Sequence, residues 1–286
     1  MKIAYLGPEG SYSHLAARTF LKSESIGETT GKNWDECIPF RNFSEVLSAV
    51  DCGRVEAAAI PIENSVQGGV LQALDLLQER EGLYAVKEAV LKLDHRLIYK
   101  KGVKFSEIGR VYSHRQALDQ CSVFLSKEMP FASLRDAEST AFGVTKVMED
   151  DTGKSAAIAG AHIENLRGEY VMSEECISND KNNLTHFLLI KKGEKSLPKT
   201  SERIFFSAVC LHKPGSLVEL LQIIAKYGVN MTKIESRPVK DRPGDYRFFI
   251  EADCDIASKE TQELMATIKA NTLECKLIGA YSQDRS

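Results

Sequence analysis

The sequence predicts a two-lobed α/β region followed by a smaller α+β domain of βαββαβ order. Three observations predict it. Short apolar runs alternate with stretches of helical spacing through the first two thirds of the chain. A polar stretch at 191–203 (KKGEKSLPKTSER) holds a Pro, lacks apolar periodicity and reads as a linker. Beyond it, strand and helix patterns follow one another in the βαββαβ order.

Residues 1–6 are a short apolar run closed by Gly7-Pro8, a buried first strand. Residues 13–22 space Leu15, Ala16, Thr19 and Phe20 helically. Ser44 is the expected N-cap of a helix through Val46, Leu47 and Val50. Residues 57–61 (AAAIP) form a second buried strand, and 69–78 carry Val70, Leu71, Leu74 and Leu77 at helical intervals. The pattern restarts after Gly82, with strands at 84–91, 96–99 and 110–112 and a helix from Arg115 to about Ser126. Ser139 caps a helix through Val147, and 156–159 (AAIA) is a buried strand. The chain is expected to cross between lobes near residue 80 and return near 180. After the linker come strand 204–210, helix 215–227, strand 229–237, a Pro-Gly turn, strand 246–253, helix 258–271 and strand 273–281, a ferredoxin-like arrangement.

Composition bounds the function. The chain has 286 residues, 43% hydrophobic, with a formal charge of −3 that argues against a nucleic-acid face. Seven scattered cysteines without a CxxC pair read as free thiols of a cytoplasmic protein rather than disulfides or a zinc site. The N-terminus lacks a secretory pattern and no apolar run approaches a membrane span.

Five stretches concentrate polar groups where strands end and helices begin. LGPEGSYS (6–13) offers free backbone N–H groups at a helix start, suited to an anion, and is neither a GxGxxG fingerprint nor a P-loop. AAAIPIENSVQGGV (57–70) brings Asn64, Ser65 and Gln67 to the end of a strand, where Asn64 and Ser65 either bind a ligand or cap the next helix. VYSHRQALDQC (111–121) brings Ser113 and His114, with Gln116 and Gln120 on one helix face; Cys121 reads as packing. AESTA (137–141) brings Ser139 and Thr140, for which capping is the default. NNLTHF (182–187) brings Thr185, His186 and Phe187; a Thr hydroxyl there suits hydrogen-bond donation to a leaving oxygen rather than attack.

Together GPEGSYS, IPIENSVQGGV, SHRQALDQC, ESTA and NLTHF resemble, in order, the motifs of the prephenate dehydratase family. PGSLVELL (214–221) and GVNMTKIESRP (228–238) resemble its regulatory ACT domain, so the likeness covers nearly the whole chain. The resemblance implies a periplasmic-binding-protein-like (type II) catalytic region at 1–195, with lobe one at about 1–80 and 180–195 and lobe two at about 81–179, and an ACT domain at 203–283. It implies conversion of prephenate to phenylpyruvate, water and carbon dioxide without metal or cofactor. Thr185 would donate to the departing hydroxyl. Ser11, Asn64, Ser65, Ser113, Gln120, Ser139, Thr140, His186 and Phe187 would bind or enclose the substrate. Free phenylalanine would bind between paired ACT domains at Gly215, Ser216, Leu217, Val218, Asn230 and Met231, with Glu235, Ser236, Arg237 and Pro238 coupling that site to the lobes. A homodimer or homotetramer follows from such pairing.

The chain departs from the family pattern where Thr-Arg-Phe becomes Thr-His-Phe, Gly-Thr-Phe becomes Gly-Ser-Tyr, and Ser-His-Pro-Gln becomes Ser-His-Arg-Gln. If the Arg holds a substrate carboxylate, replacing it by His186 costs a charge-assisted hydrogen bond, about 1.5–3 kcal/mol. Arg115 is the candidate for compensating charge. Two alternatives stand beside the dehydratase: a prephenate decarboxylase that spares the hydroxyl, raised by His186, and a non-catalytic amino-acid-sensing or solute-binding protein.

Overall fold

A computed structural model describes residues 1–25, 36–163, 166 and 168–284. The chain begins with β1 (Lys2–Leu6), α1 (Tyr12–Ser25), β2 (Glu36–Phe40), α2 (Phe43–Asp51), β3 (Ala57–Asn64), the short β4 (Gly68–Gly69), α3 (Leu71–Glu79) and β5 (Leu83–Lys92). It continues with β6 (His95–Lys100), β7 (Arg110–Ser113), α4 (Arg115–Gln120), α5 (Ser122–Glu128), β8 (Ser133–Asp136), α6 (Thr140–Met148), β9 (Ser155–Gly160) and β10 (Tyr170–Met172). Strand β11 (Leu184–Lys192) then leads to β12 (Arg203–Val209), α7 (Ser216–Lys226), β13 (Asn230–Pro238), β14 (Tyr246–Asp253), α8 (Lys259–Asn271), β15 (Glu274–Tyr281) and β16 (Gln283–Asp284). Among the described residues no helix is long and apolar enough to cross a membrane.

Two sheets carry the lobes. In the first, β1 lies parallel to β2 and β3, while β11 lies antiparallel between β3 and β5. The second has the order β10-β6-β9-β7-β8, with β7 parallel to β8 and β9. The crossing expected near residue 80 falls later, because β5 pairs along its length with the returning β11 and belongs to the first sheet. Its apolar alternation suits either lobe, and only pairing decides.

Three local expectations also shift. Helix α2 is capped by Asn42, whose side chain accepts from Glu45 N, so Ser44 lies inside the helix. Asn64 and Ser65 do not cap α3, which starts after Val70 with no side-chain cap bond. The helix expected from Arg115 breaks at Cys121 into α4 and α5. Ser139 does cap α6, accepting from Phe142 N at 3.0 Å.

Alternation along β11 sorts its side chains between two cores. Phe187 and Leu189 pack with Ile3, Tyr5, Ala17 and Phe20 on the α1 side. Leu188 and Ile190 pack with Val46, Leu47 and Leu74 on the α2 and α3 side. Phe205, Phe249, Ile278 and Tyr281 join this second cluster, so the C-terminal domain docks on lobe one. Its sheet runs β13-β14-β12-β15 and continues into β5, where Gly279 meets Ala85 so closely that a Cβ would sit 2.3 Å from the Ala85 carbonyl oxygen. Glycine alone allows that approach. Helices α7 and α8 cover the other face through Leu220, Ile224, Leu264 and Ile268.

Candidate active site

A cavity of about 480 Å³ opens where the strands and helix starts of the two lobes meet. Its first wall comes from lobe one. Ser11 follows β1 and stabilises the start of α1: its Oγ accepts from His14 N at 3.2 Å and donates to Leu6 O at 3.3 Å. At the end of β3, Asn64 is 5% exposed and tied on every side. Its Oδ1 accepts from Val66 N and Gln67 N, both at 3.1 Å, and closes the turn into β4. Its Nδ2 donates to Asn183 Oδ1 at 2.7 Å and to Thr185 Oγ1 at 2.9 Å.

That last bond sets the direction of the Thr185 hydroxyl. An amide N–H occupies one lone pair of Oγ1, so the hydroxyl's own hydrogen must point elsewhere. Thr185 lines the cavity, and among the described residues its hydroxyl hydrogen finds no protein acceptor. A fixed donor without a partner faces the space where a ligand would lie.

The second wall comes from lobe two. Ser139 and Thr140 line it at the start of α6, and Gln120 lines it from the end of α4. His114 caps α4 with its Nδ1 and also lines the cavity, as do Gln116 and Glu138. Gln116 Nε2 donates to Gln67 Oε1 at 2.6 Å and joins the two lobes across the cavity mouth. Among the described residues the lining includes no Lys or Arg. An anionic ligand would rest on neutral donors and on the N-terminal ends of α1 and α6, whose free N–H groups and dipoles favour negative charge.

Several expected residues stand elsewhere. Ser113 is fully buried and donates to Ile158 O at 2.7 Å, fastening β7 to β9 behind the cavity. Ser65 accepts from Leu184 N at 2.9 Å and supports the β11 entry without lining the cavity. Arg115 pairs with Asp119 one helical turn away at 3.3 Å and is largely exposed. His186 lies on the other face of β11 from Thr185 and Phe187, because successive side chains of a strand alternate. Its Nδ1 meets Glu88 Oε1 at 2.7 Å, and this hydrogen bond raises its pKa against the opposing effect of burial. Thr185 and Phe187 line the cavity; His186 does not. The expected loss of a cleft charge through Arg-to-His replacement therefore does not arise.

Two further residues line the cavity, Tyr12 of the GPEGSYS motif and His95, which carried no signal in the sequence. Tyr12 and His95 pack edge to face at 5.7 Å and 85°, and His95 Nε2 meets Gln120 Oε1 at 3.0 Å. Burial holds the His95 pKa below its ordinary value, so the ring is neutral near pH 7. A lone His at a strand start, 25 positions from its partner, offers no spacing to read.

In the C-terminal domain, Gly215 holds a left-handed conformation (φ 84°) before α7, which favours glycine. Ser216 and Leu217 border a second cavity of about 520 Å³ with Pro214, Tyr246 and Phe248. Asn230 is tied to Asp253 at 2.9 Å, and Val218 is exposed. Arg237 reaches α3 with two bonds to Asp75, at 3.1 and 2.6 Å, and Gly69 approaches the Glu235 carboxylate.

Residues 3–195 match the sequence model for prephenate dehydratase, and residues 205–268 the model for the ACT domain. The chain is 31% identical over 286 residues to a prephenate dehydratase of Amycolatopsis methanolica, covering 99% of this chain and 88% of that one. The structure of prephenate dehydratase from Arthrobacter aurescens in complex with L-Phe superposes with a TM-score of 0.83 at 28% identity, over 99% of this chain and 90% of the other. That of Staphylococcus aureus gives 0.79 at 27% identity, over 98% and 100%. The chain belongs to the prephenate dehydratase family and carries its catalytic region and an ACT domain.

Proposed function

We propose that the cleft converts prephenate to phenylpyruvate with Thr185 as the donor to the departing hydroxyl. The carrying observation is the Thr185 hydroxyl, fixed by Asn64 Nδ2 at 2.9 Å and turned toward the cavity. In the reaction the ring carbon–carboxyl bond breaks and carbon dioxide leaves. Its electron pair enters the ring, and the carbon–oxygen bond at the opposite ring position breaks as its pair departs with the oxygen. That oxygen takes one proton from solvent by way of the donor and leaves as water. The ring becomes aromatic, so much of the driving force resides in the substrate. What the protein must add is orientation and a hydrogen bond that strengthens as charge grows on the leaving oxygen. The two substrate carboxylates suit the N-terminal ends of α1 and α6, with Ser11, Ser139 and Thr140 beside them. Phe187 supplies an apolar wall for the ring.

The decarboxylase alternative rested on His186, and that side chain is turned away from the cavity toward Glu88. Thr185 at the cavity supports the dehydratase. We further infer that free phenylalanine acts at the C-terminal domain near Ser216 and Leu217, and that a second copy completes the site as a homodimer or homotetramer. The complex of the A. aurescens relative with L-Phe supports this. Seven cysteines outside any disulfide suit a cytoplasmic setting. The test is incubation of purified protein with prephenate, followed by absorbance and mass. Phenylpyruvate is expected. A dihydro-hydroxyphenylpyruvate would favour the decarboxylase, and unchanged prephenate would overturn both.

A further inference from the structure

Gly10 lies in the loop between β1 and α1, and its backbone is held from both lobes. Its N–H donates to His14 Nδ1 at 3.1 Å within lobe one, where the His14 ring stacks on Tyr5 of β1 at 4.9 Å. Its carbonyl accepts from His162 Nε2 at 3.0 Å, and His162 belongs to lobe two, just beyond β9. A carbonyl can only accept, so the His162 hydrogen sits on Nε2. Burial holds the pKa of this ring below its ordinary value, against the opposing effect of the Gly10 bond, so the neutral ring makes the bond near pH 7. The His162 segment is itself fastened to lobe two, with Ala161 N donating to Asp94 O at 2.8 Å. The ring also packs edge-on to Tyr12 at 4.7 Å. Packing at the same point is tight. Gly10 has φ 80°, and a Cβ there would sit 2.9 Å from Ile163 Cδ1 and 3.3 Å from Ala141 Cβ, both of lobe two.

Position gives this contact its consequence. Gly10 precedes Ser11 at the start of α1, and Ala141 follows Thr140 at the start of α6. These are the two helix ends offered above to the two substrate carboxylates, and they are fixed against each other where Gly10 meets lobe two. A ligand that spans two sites binds best when their spacing is set beforehand, because less ordering is left to the binding step. We propose that His162 is a positioning residue: by latching lobe two onto the Gly10 carbonyl, it sets the separation of the two helix ends that receive the substrate's carboxylates. His162 itself lies outside the cavity lining and moves no proton. It acts through Gly10, while Thr185 remains the proton-sharing donor. This inference rests on the dehydratase reading and adds to it the feature by which the cleft prefers a dicarboxylate.

The test combines steady-state kinetics on prephenate with inhibition by phenylpyruvate, whose single carboxylate needs only one helix end. His162→Met and His162→Gln are alike in length and differ in the donor. His162→Met should raise KM for prephenate about fivefold, the worth of one net hydrogen bond. Its kcat should stay within about twofold, as for lost uniform binding, and so should the inhibition constant of phenylpyruvate. His162→Gln should keep the KM within about twofold of wild type, the scale of a neutral substitution. His162→Phe keeps a ring against Tyr12 without the donor; it should match His162→Met and serves if that variant does not fold. An unchanged KM in His162→Met, an equal weakening of prephenate and phenylpyruvate, or a Gln variant no better than the Met variant would overturn the latch. Absence of wild-type turnover would instead overturn the underlying reading, and the latch with it.

Discussion

Thr185 and His186 are neighbours in sequence and belong to different parts of the molecule. At Thr185 the direction of one hydrogen bond decides the chemistry, because Asn64 donates into Oγ1 and frees the hydroxyl hydrogen. Asn64→Asp keeps the shape and the two backbone bonds from Val66 and Gln67, yet turns the donor into an acceptor. The Thr185 hydroxyl would then donate to the carboxylate. We expect kcat to fall about 10²–10³-fold, as for Thr185→Ala, with Thr185→Ser far milder; steady-state kinetics check this. At His186 the effect is on stability. The Glu88 hydrogen bond raises its pKa in the folded state, so its contribution is complete below the unfolded value of about 6.5. That contribution is lost as pH rises through the raised folded value. The melting temperature should therefore decline through this window, His186→Arg should flatten the decline, and the pH profile of turnover should keep its shape. A pH-independent melting difference between the two proteins would refute the assignment. The motifs made Thr185 and Asn64 legible as a pair of candidates, but only strand pairing reveals that they touch. His186 faces Glu88 because successive strand residues alternate, which adjacency within a motif does not reveal.

Elements with strong periodicity were legible: α1, β3, α7 and α8 all appear within a few residues of their expected ends. Five strands were not, of which β4 and β16 are two residues each. Every residue of β8 is exposed, so its SLRD sequence carries no apolar alternation. Strand β10 is only three residues long. Strand β2 contains Pro39, which argues against a strand unless it lies at an edge, and β2 is the edge of its sheet. Pro61 is more telling, since it sits inside β3 opposite Phe187 of β11, just beyond the residues paired with β1. The register with β11 slips there, Ile62 being passed over between His186 and Phe187, because proline brings no N–H to the ladder. That irregularity adjoins Thr185 and helps set its side chain in the cleft. The end of α3 presents a testable device. Lys276 reaches from β15 to the carbonyls of Leu77, Gln78 and Arg80, at 3.1, 2.7 and 2.7 Å. A cation at the negative end of a helix satisfies acceptors that the helix itself cannot. Lys276→Met should cost about 1.5–3 kcal/mol in urea unfolding at unchanged m-value.

Across the whole molecule, the C-terminal domain touches lobe one through groups that lead toward the cleft. Lys233 Nζ meets Glu63 at 2.5 Å, next in sequence to Asn64, and Arg237 forks onto Asp75 of α3. Arg203 bonds Glu88, which also holds His186 beside Thr185. An effector that shifts the C-terminal domain must strain or relieve these pairs, since Gly279 packs too closely on Ala85 to allow sliding there. Proximity alone is no proof of coupling; a change in the effector's influence is. Arg237→Ala and Asp75→Ala each remove one half of the fork without reaching the cavity lining. Each should leave basal turnover within about twofold, while the ratio of rates with and without phenylalanine moves toward one. A coupling of about 1–3 kcal/mol corresponds to roughly a 5–150-fold effect, so its loss is easily read. The double variant should do no more than either single one, because both remove the same contact. Additive losses would assign the signal to separate routes, and an undiminished response in Arg237→Ala would move it to Lys233 and Arg203.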